Sequence, residues 1–371
     1  SKGNSEGIFA YGIVTTHLSM SNLVSDSGVV ASDVTGVGTA RETLGACEYG
    51  GDKGIFGYGT TASKVSMTNL VSNAGVVGTD VTGVGTARDG VAACDYGGDK
   101  GIFGFGGIAG SEVSMTNLVS NAGVVADDVT GVGTDRGYLA ACEYGNDKAI
   151  FGFGVSSGGK AGMTNLVSNA GVVATDVSAV GTARNGLGAA TYGGDKGIFA
   201  FGENASGNTA QSNLVSNTGV VASDVTGVGT VRRYLAATQY GTDKSNAIFA
   251  YGVNGSSYSM SNLVSNVGVV ATDVTGVGTA RYGLAACSYG GDKGIFGFGD
   301  PGPTAVTNLV SNVGVVSTDV TGVGSASKYS AACEYGNDKG VFGFGKNGAT
   351  YSKTNKVSNT GVVATDTASG G

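Results

Sequence analysis

The sequence has no tryptophan, one histidine (His17), two prolines and a charged fraction of only 13% in 371 residues. Each scarcity excludes something. A single histidine rules out histidine-based metal clusters and leaves a Ser-His-Asp arrangement conceivable only around one loop residue. Net charge is −7 with no basic run, so a nucleic-acid partner, which needs clustered Lys and Arg against phosphate, is not expected. No apolar stretch approaches the roughly 20 residues of a membrane span, and Ser1 to Glu6 is polar rather than signal-like. No cofactor and no enzymatic activity are expected from these residues; an enzyme would need an unrecognised site in the central channel.

What is abundant is glycine, 70 residues, set at fixed places between apolar and aromatic side chains. The segment typified by Gly54-Ile55-Phe56-Gly57-Tyr58-Gly59, then Met67-Thr68-Asn69-Leu70-Val71-Ser72, then Val76 to Gly85 recurs eight times. Equivalent positions are Ile8, Ile55, Ile102, Ile150, Ile198, Ile248, Ile295 and Val341, a period of 46 to 50 residues. Unbroken repetition leaves no place for a domain boundary, so one closed domain is expected. The five cysteines, Cys47, Cys94, Cys142, Cys287 and Cys333, share one repeat position, which holds Ala190 and Thr238 in two other copies. Exchange with alanine and threonine marks a site for a small buried side chain, and unpaired thiols fit folding in a reducing compartment.

Four short runs per repeat can be cut at turn signals: a (Leu139 to Tyr144), b (Ile102 to Phe105), c (Met115 to Ser120) and d (Val124 to Val132). Each is of strand length and rich in Val, Thr, Phe or Tyr, and no stretch of helical spacing intervenes. Gly97-Gly98-Asp99-Lys100 after run a and Ser72-Asn73-Ala74-Gly75 after run c are hairpin turns, because Gly and Asn accept positive φ. Four antiparallel strands every ~40 to 50 residues is the pattern of a propeller blade. The expected fold is all-β, an eight-bladed β-propeller with blades at 1–38, 39–85, 86–133, 134–181, 182–229, 230–278, 279–324 and 325–371. These ranges are called repeats 1 to 8 below. Only seven a runs are present, so the first blade is expected to be incomplete. It has three strands, or is completed by residues before Ser1 or by a partner chain; a seven-bladed ring is the alternative. Run a is built of small residues suited to the axis, and Ile and Gly alternating with Phe and Tyr in run b predict aromatic knobs meeting glycine hollows between blades.

These features resemble the kelch-type β-propellers: an Arg opening run a, as in Thr279-Ala280-Arg281, a small apolar strand, a short turn, an Ile-Phe-rich strand ending in glycine, and a c strand leading into d. The sequence departs from that family in replacing its double glycine by Gly-Tyr-Gly or Gly-Phe-Gly and in lacking its tryptophan. Some kelch-type propellers carry a copper radical oxidase site needing a Cys–Tyr crosslink and two histidines, and one histidine is too few. The resemblance implies a binding scaffold, intracellular in one reading. The near-identity of the copies also resembles glycine-rich Ile-Phe-Gly repeat arrays of marine phage structural proteins, which implies a virion or extracellular component.

One aspartate recurs per repeat: Asp33, Asp80, Asp128, Asp176, Asp224, Asp273, Asp319 and Asp366. Catalysis needs two unlike carboxylates in one place, so these predict a structural pairing with Arg41, Arg88, Arg136, Arg184, Arg232 and Arg281. The Asp-Lys pairs after run a, such as Asp147-Lys148, read as solvated turns. No repeat has the dense aspartate spacing of a calcium loop.

The copies diverge in two places. Between b and c lie His17, Lys64, Glu112, Lys160, Glu203, Tyr258, Asp300 to Pro303 and Lys346 to Tyr351. Following the Arg between d and a lie Glu42, Asp89, Tyr138, Asn185, Arg233 with Tyr234, Tyr282 and Lys328 with Tyr329. In a four-stranded meander both connections emerge on one side, so the diversity gathers on one face. Variable loops on a rigid scaffold are where recognition resides. The expected contact residues are Tyr138, Arg233, Tyr234, Tyr282 and Tyr329 near the axis, with Tyr258, Tyr351, His17, Lys64, Glu112 and Lys160 further out. The expected partner is a protein or carbohydrate surface, and the uniform opposite face invites self-association or attachment to a larger assembly.

Overall fold

The computed structural model describes residues 7–13, 17–24, 38–39, 41, 44–51, 53–72, 78–178, 180–242, 245–322, 324–328, 331–335, 338–343, 346–347, 349–350 and 354–365. Among these there is no α-helix. Seven antiparallel sheets follow one another from Gly45–Tyr49 to Thr354–Val357, each with runs a, b and c as neighbouring strands. In repeat 4 they are Ala140–Tyr144, Lys148–Gly152 and Thr164–Val167, with Phe151 opposite both Ala141 and Asn165. Runs b and c of repeat 1, Gly7–Ile13 and His17–Val24, form a two-stranded antiparallel sheet. Each a strand touches the a and b strands of the next repeat, and Ala331–Tyr335 meets Gly7–Ile13 in the same a-to-b relation. The architecture is a β-propeller.

Run d does not form the expected fourth strand. It touches run c at two isolated bridges, Val119 to Val125 and Thr116 to Val129, so five residues of d span four of c. That extra residue is a bulge and interrupts the ladder. Asn117 fills the interruption, donating from Nδ2 to the Ala126 carbonyl (3.1 Å) and to Asp128 Oδ1 (3.0 Å).

Neighbouring sheets interlock through run b. Phe151 of repeat 4 packs on Phe105 of repeat 3 at 5.4 Å between ring centres, and its ring fills the hollow over Gly104, where an added Cβ would lie 2.9 Å from Cζ. The same pairing joins Tyr58 to Phe103, Phe153 to Phe199, Phe201 to Phe249 and Tyr251 to Phe296. Each such aromatic contact contributes about 0.5–1.5 kcal/mol beyond its area. The expected knobs and hollows are therefore present, with one addition. The aromatic residue closing run b takes a left-handed backbone (Phe105 φ 61°, Phe153 φ 62°, Tyr251 φ 65°), which a bulky side chain rarely adopts.

Five of the recurrent arginines, Arg41, Arg88, Arg184, Arg232 and Arg281, bond the carbonyl of that residue, whereas Arg136 donates to the Met163 carbonyl instead. Arg184 is fully buried, donates from Nε to the Phe201 carbonyl (2.9 Å) and from Nη2 to Asn213 Oδ1 (2.6 Å), and lies 4.0 Å from the Phe153 ring centre of the preceding repeat. Its Nη1 stands 3.7 Å from Asp224, whose Oδ2 accepts from the Thr182 amide and hydroxyl. The recurrent aspartates thus clasp the start of a repeat to its end. For Asp224, burial by itself pushes the carboxyl upward, but hydrogen bonds from Thr182 and Asn213 with the Arg184 charge outweigh it and leave the carboxyl below the ordinary value. Burial lowers Arg184 to about 10, against the pull of Asp224.

Candidate binding face

The d-to-a and b-to-c connections meet within repeats 3 to 7. Their backbones bridge at Asp89 to Gly107, Gly137 to Val155, Asn185 to Glu203, Arg233 to Val253 and Tyr282 to Asp300. The b-to-c connections are themselves small hairpins, such as Gly107–Ile108 with Ser111–Glu112 and Glu203–Asn204 with Gly207–Asn208. Two-residue strands leave no periodicity, so from sequence these segments read as loops.

Several of the residues expected to contact a partner are engaged in joining repeats. Lys64 pairs with Asp89 (2.7 Å) and donates to the Ile108 carbonyl (3.0 Å), both in the next repeat. Lys160 does the same with Glu203 (3.1 Å) and the Asn204 carbonyl (2.9 Å). Arg233 pairs with Glu203 and lies 5.0 Å from the Tyr234 ring centre. Tyr282 donates its hydroxyl to Asp300 Oδ2 (2.8 Å), which also takes Lys328 at 3.1 Å. Tyr258 is half-buried, and its backbone bonds Gly252 and Arg281. Tyr329 and Tyr351 lie outside the described residues. His17 opens a strand, but its side chain also lies outside the description.

Two tyrosines are different. Tyr138 and Tyr234 are 72% and 46% exposed, and both adopt φ 53°. Equivalent positions in the intervening repeats are Gly90, Gly186 and Gly283, at φ 57°, 61° and 60°. The turn therefore demands a left-handed residue, glycine meets the demand in repeats 3, 5 and 7, and two copies place an exposed ring there instead. Left-handed backbone costs an ordinary L-residue roughly 1–2 kcal/mol, and such outliers concentrate at functional sites.

Tyr138 separates two concavities. On one side a space of about 230 Å³ gathers Lys64, Asp89, Glu112 and Tyr138, so three of the expected residues share one wall. On the other, a space of about 360 Å³ is bounded by Tyr138 and Tyr234 over Leu139, Leu187, Asn185 and Gly186. Asn185 appears in the sequence only as a variable position, and the two leucines read as strand residues; nothing short of the fold unites them.

No known protein family matches the sequence, and no curated protein does. Among solved structures the chain is similar to a fungal alcohol oxidase of the AA5 family in complex with copper. The TM-score is 0.59 over 93% of this chain and 73% of that one, at 12% identity. That likeness is one of fold.

Copper does not fit the residues here. The chain has one histidine, and no cluster of three or more His, Cys, Asp or Glu occurs among the described residues. A space of about 220 Å³ beside the a strands of repeats 5 to 7 is lined by Ala189, Ala190, Ala237, Thr238, Gln239, Cys287 and Ser288. At the same strand position in repeats 3 and 4, burial holds the Cys94 and Cys142 thiols protonated, with Cys142 pushed up to about 12. Protonated thiols in small apolar surroundings are poor metal ligands.

Proposed function

We propose that this chain is a non-enzymatic recognition module, an eight-bladed ring that engages its partner through the variable face. One observation carries the reading. Tyr138 and Tyr234 project from left-handed turns where alternate repeats keep glycine, and together they wall a concavity of about 360 Å³. Conformational cost accepted at exposed aromatic positions suits contact with a partner. The setting we favour is a virion or other extracellular assembly.

A second reading, assembly through the opposite face, has its own observation. Val124, Val172, Val220, Val269, Val315 and Val362 recur after the c-run turns, each 63–67% exposed. The a-to-b turns on that side are also chained between repeats by backbone bonds, as from the Gly97 amide to the Asp147 carbonyl (2.7 Å). Exposed valines at identical positions suit packing against a flat partner.

Adhesion of the full chain to a panel of bacterial and eukaryotic cell surfaces, with light scattering for mass, separates the two. Recognition predicts a monomer whose retention is lost in Tyr138→Ala/Tyr234→Ala and kept in Val124→Ser/Val172→Ser/Val220→Ser. Retention indifferent to the tyrosine pair, or retention on no surface, overturns it. An assembly that the valine variant dissolves establishes the second reading.

A further inference from the structure

The concavity between Tyr138 and Tyr234 has a composition that narrows what it can hold. None of the residues lining it is charged. Its boundaries are two phenol rings and its floor is Leu139, Leu187 and the bare backbone of Gly186. A methyl group built on Gly186 would stand 3.4 Å from the Tyr234 ring, so glycine leaves that part of the floor open. The one polar side chain on the floor is Asn185. Its Oδ1 is shielded from solvent and has no hydrogen-bond partner, and its amide makes no hydrogen bond elsewhere in the protein.

An unsatisfied buried amide is uncommon and calls for an explanation. The terminal torsion of asparagine is broad and two-fold, so a half-turn about it exchanges the oxygen and the NH2 toward the cleft. No bond within the fold has to break for that to happen. The ligand must therefore be neutral and offer both flat apolar faces for the rings and hydroxyl or amide groups for Asn185. Anions and cations are disfavoured, since nothing in the lining compensates a desolvated charge. Charged peptides fail on the same ground. The volume, about 360 Å³, lies within the ordinary range for small-molecule sites.

We infer that the Tyr138–Asn185–Tyr234 cleft is a saccharide site, taking a neutral sugar ring whose C–H face lies against a tyrosine and whose hydroxyl or acetamido group bonds the Asn185 amide. This rests on the recognition reading above and names the chemistry recognised. The spacing of the repeats supports more than one such seat. At the equivalent turn position the sequence runs Gly90, Tyr138, Gly186, Tyr234, Gly283, Tyr329, so ring and glycine alternate from one repeat to the next. The Tyr138 ring leans toward Gly90 and the Tyr234 ring toward Gly186, each over the glycine of the repeat before it. A glycan crossing from repeat 4 to repeat 6 meets a ring at each, and weak seats reinforce one another when linked in one chain.

The test uses the full chain against an array of neutral oligosaccharides of hexose and N-acetylhexosamine units. The best-bound sugar is then titrated against variants. The expected result is binding to at least one neutral saccharide, weakened at least tenfold by Tyr138→Ala and by Tyr234→Ala and about fivefold or more by Asn185→Ala. Val220→Ser, an exposed position on the opposite face, leaves it unchanged. Circular dichroism melts of all four variants confirm folding, and Tyr138→Phe and Tyr234→Phe, which keep the rings, retain most of the affinity. A blank array, or binding indifferent to the three cleft variants, overturns the inference. If the array is blank while tyrosine-dependent adhesion persists on periodate-treated cells, the saccharide inference fails and the recognition reading stands.

Discussion

The Arg88 guanidinium lies 4.1 Å from the ring centre of Tyr58 in the preceding repeat while its Nε donates to the Phe105 carbonyl of its own repeat at 2.8 Å. One side chain thus joins two sheets and fixes the left-handed residue that ends run b. Its remaining donors reach the Thr86 carbonyl (3.1 Å) and Asn117 Oδ1 (2.5 Å), so the planar fork is almost fully used.

Replacing one such arginine is expected to be severe. Arg184→Met leaves the Phe201 carbonyl and Asn213 without their donor and strips Asp224 of its nearest charge, at a cost of about 3–5 kcal/mol. Arg184→Lys recovers little, because an ammonium cannot present the same fork. Thermal and urea unfolding of the two variants check both statements, and a near-wild-type lysine variant counts against the geometric argument.

The aspartate clasps set an acid limit. Asp128, Asp176, Asp224, Asp273 and Asp319 all titrate below the ordinary 3.8 in the folded chain. Their contribution is complete above that ordinary value and is lost as pH falls through the depressed folded values. Stability should therefore be flat down to about pH 4 and decline below it. Asp224→Asn should lower stability at neutral pH and shrink the acid-dependent part. At the other end, burial raises Tyr58 and Tyr251 to about 12, so their contribution is present below 10 and lost on the way to 12.

The hollows under the aromatic knobs set a size limit. Repeats 5 and 6 carry Ala200 and Ala250 where repeats 3 and 4 have Gly104 and Gly152, and both alanines are fully buried. Gly152→Ala is accordingly expected to cost under about 1 kcal/mol. Gly152→Val, driven against the Phe199 ring, is expected to cost about 1–3 kcal/mol. Equal costs for the two would mean the ring moves freely.

Tyr138→Gly and Tyr234→Gly separate stability from recognition. Relief of the left-handed penalty, about 1–2 kcal/mol, exceeds the backbone entropy cost of glycine, about 0.5–1 kcal/mol. Each variant is expected to melt slightly higher than the parent while losing saccharide binding. A lower melting temperature would show that the rings serve packing.

The glycine hollows, the small a strands and the Arg–Asp pairing were legible because each recurs from repeat to repeat, and many copies average out local accident. Run d misled for a physical reason. Val124 to Val132 has strand composition, but the bulge opposite Asn117 is set by side-chain bonds to Ala126 and Asp128, which no propensity registers. Lys64 and Lys160 were legible as variable residues and not as bridges, because their partners Asp89 and Glu203 are brought near only by the turn of the next repeat.

The sequence by itself determined the all-β class, the repeat length, the a, b and c strands and the gathering of variability in two connections. All of these follow from local periodicity and turn chemistry. Only the tertiary structure decided which variable residues are consumed in holding repeats together and which are left to meet a partner. The difference between Arg233, tied to Glu203, and Tyr138, held out on a left-handed turn beside an unpartnered Asn185, depends on distances between repeats. Those distances are fixed by how Phe and Arg pack one sheet on the next.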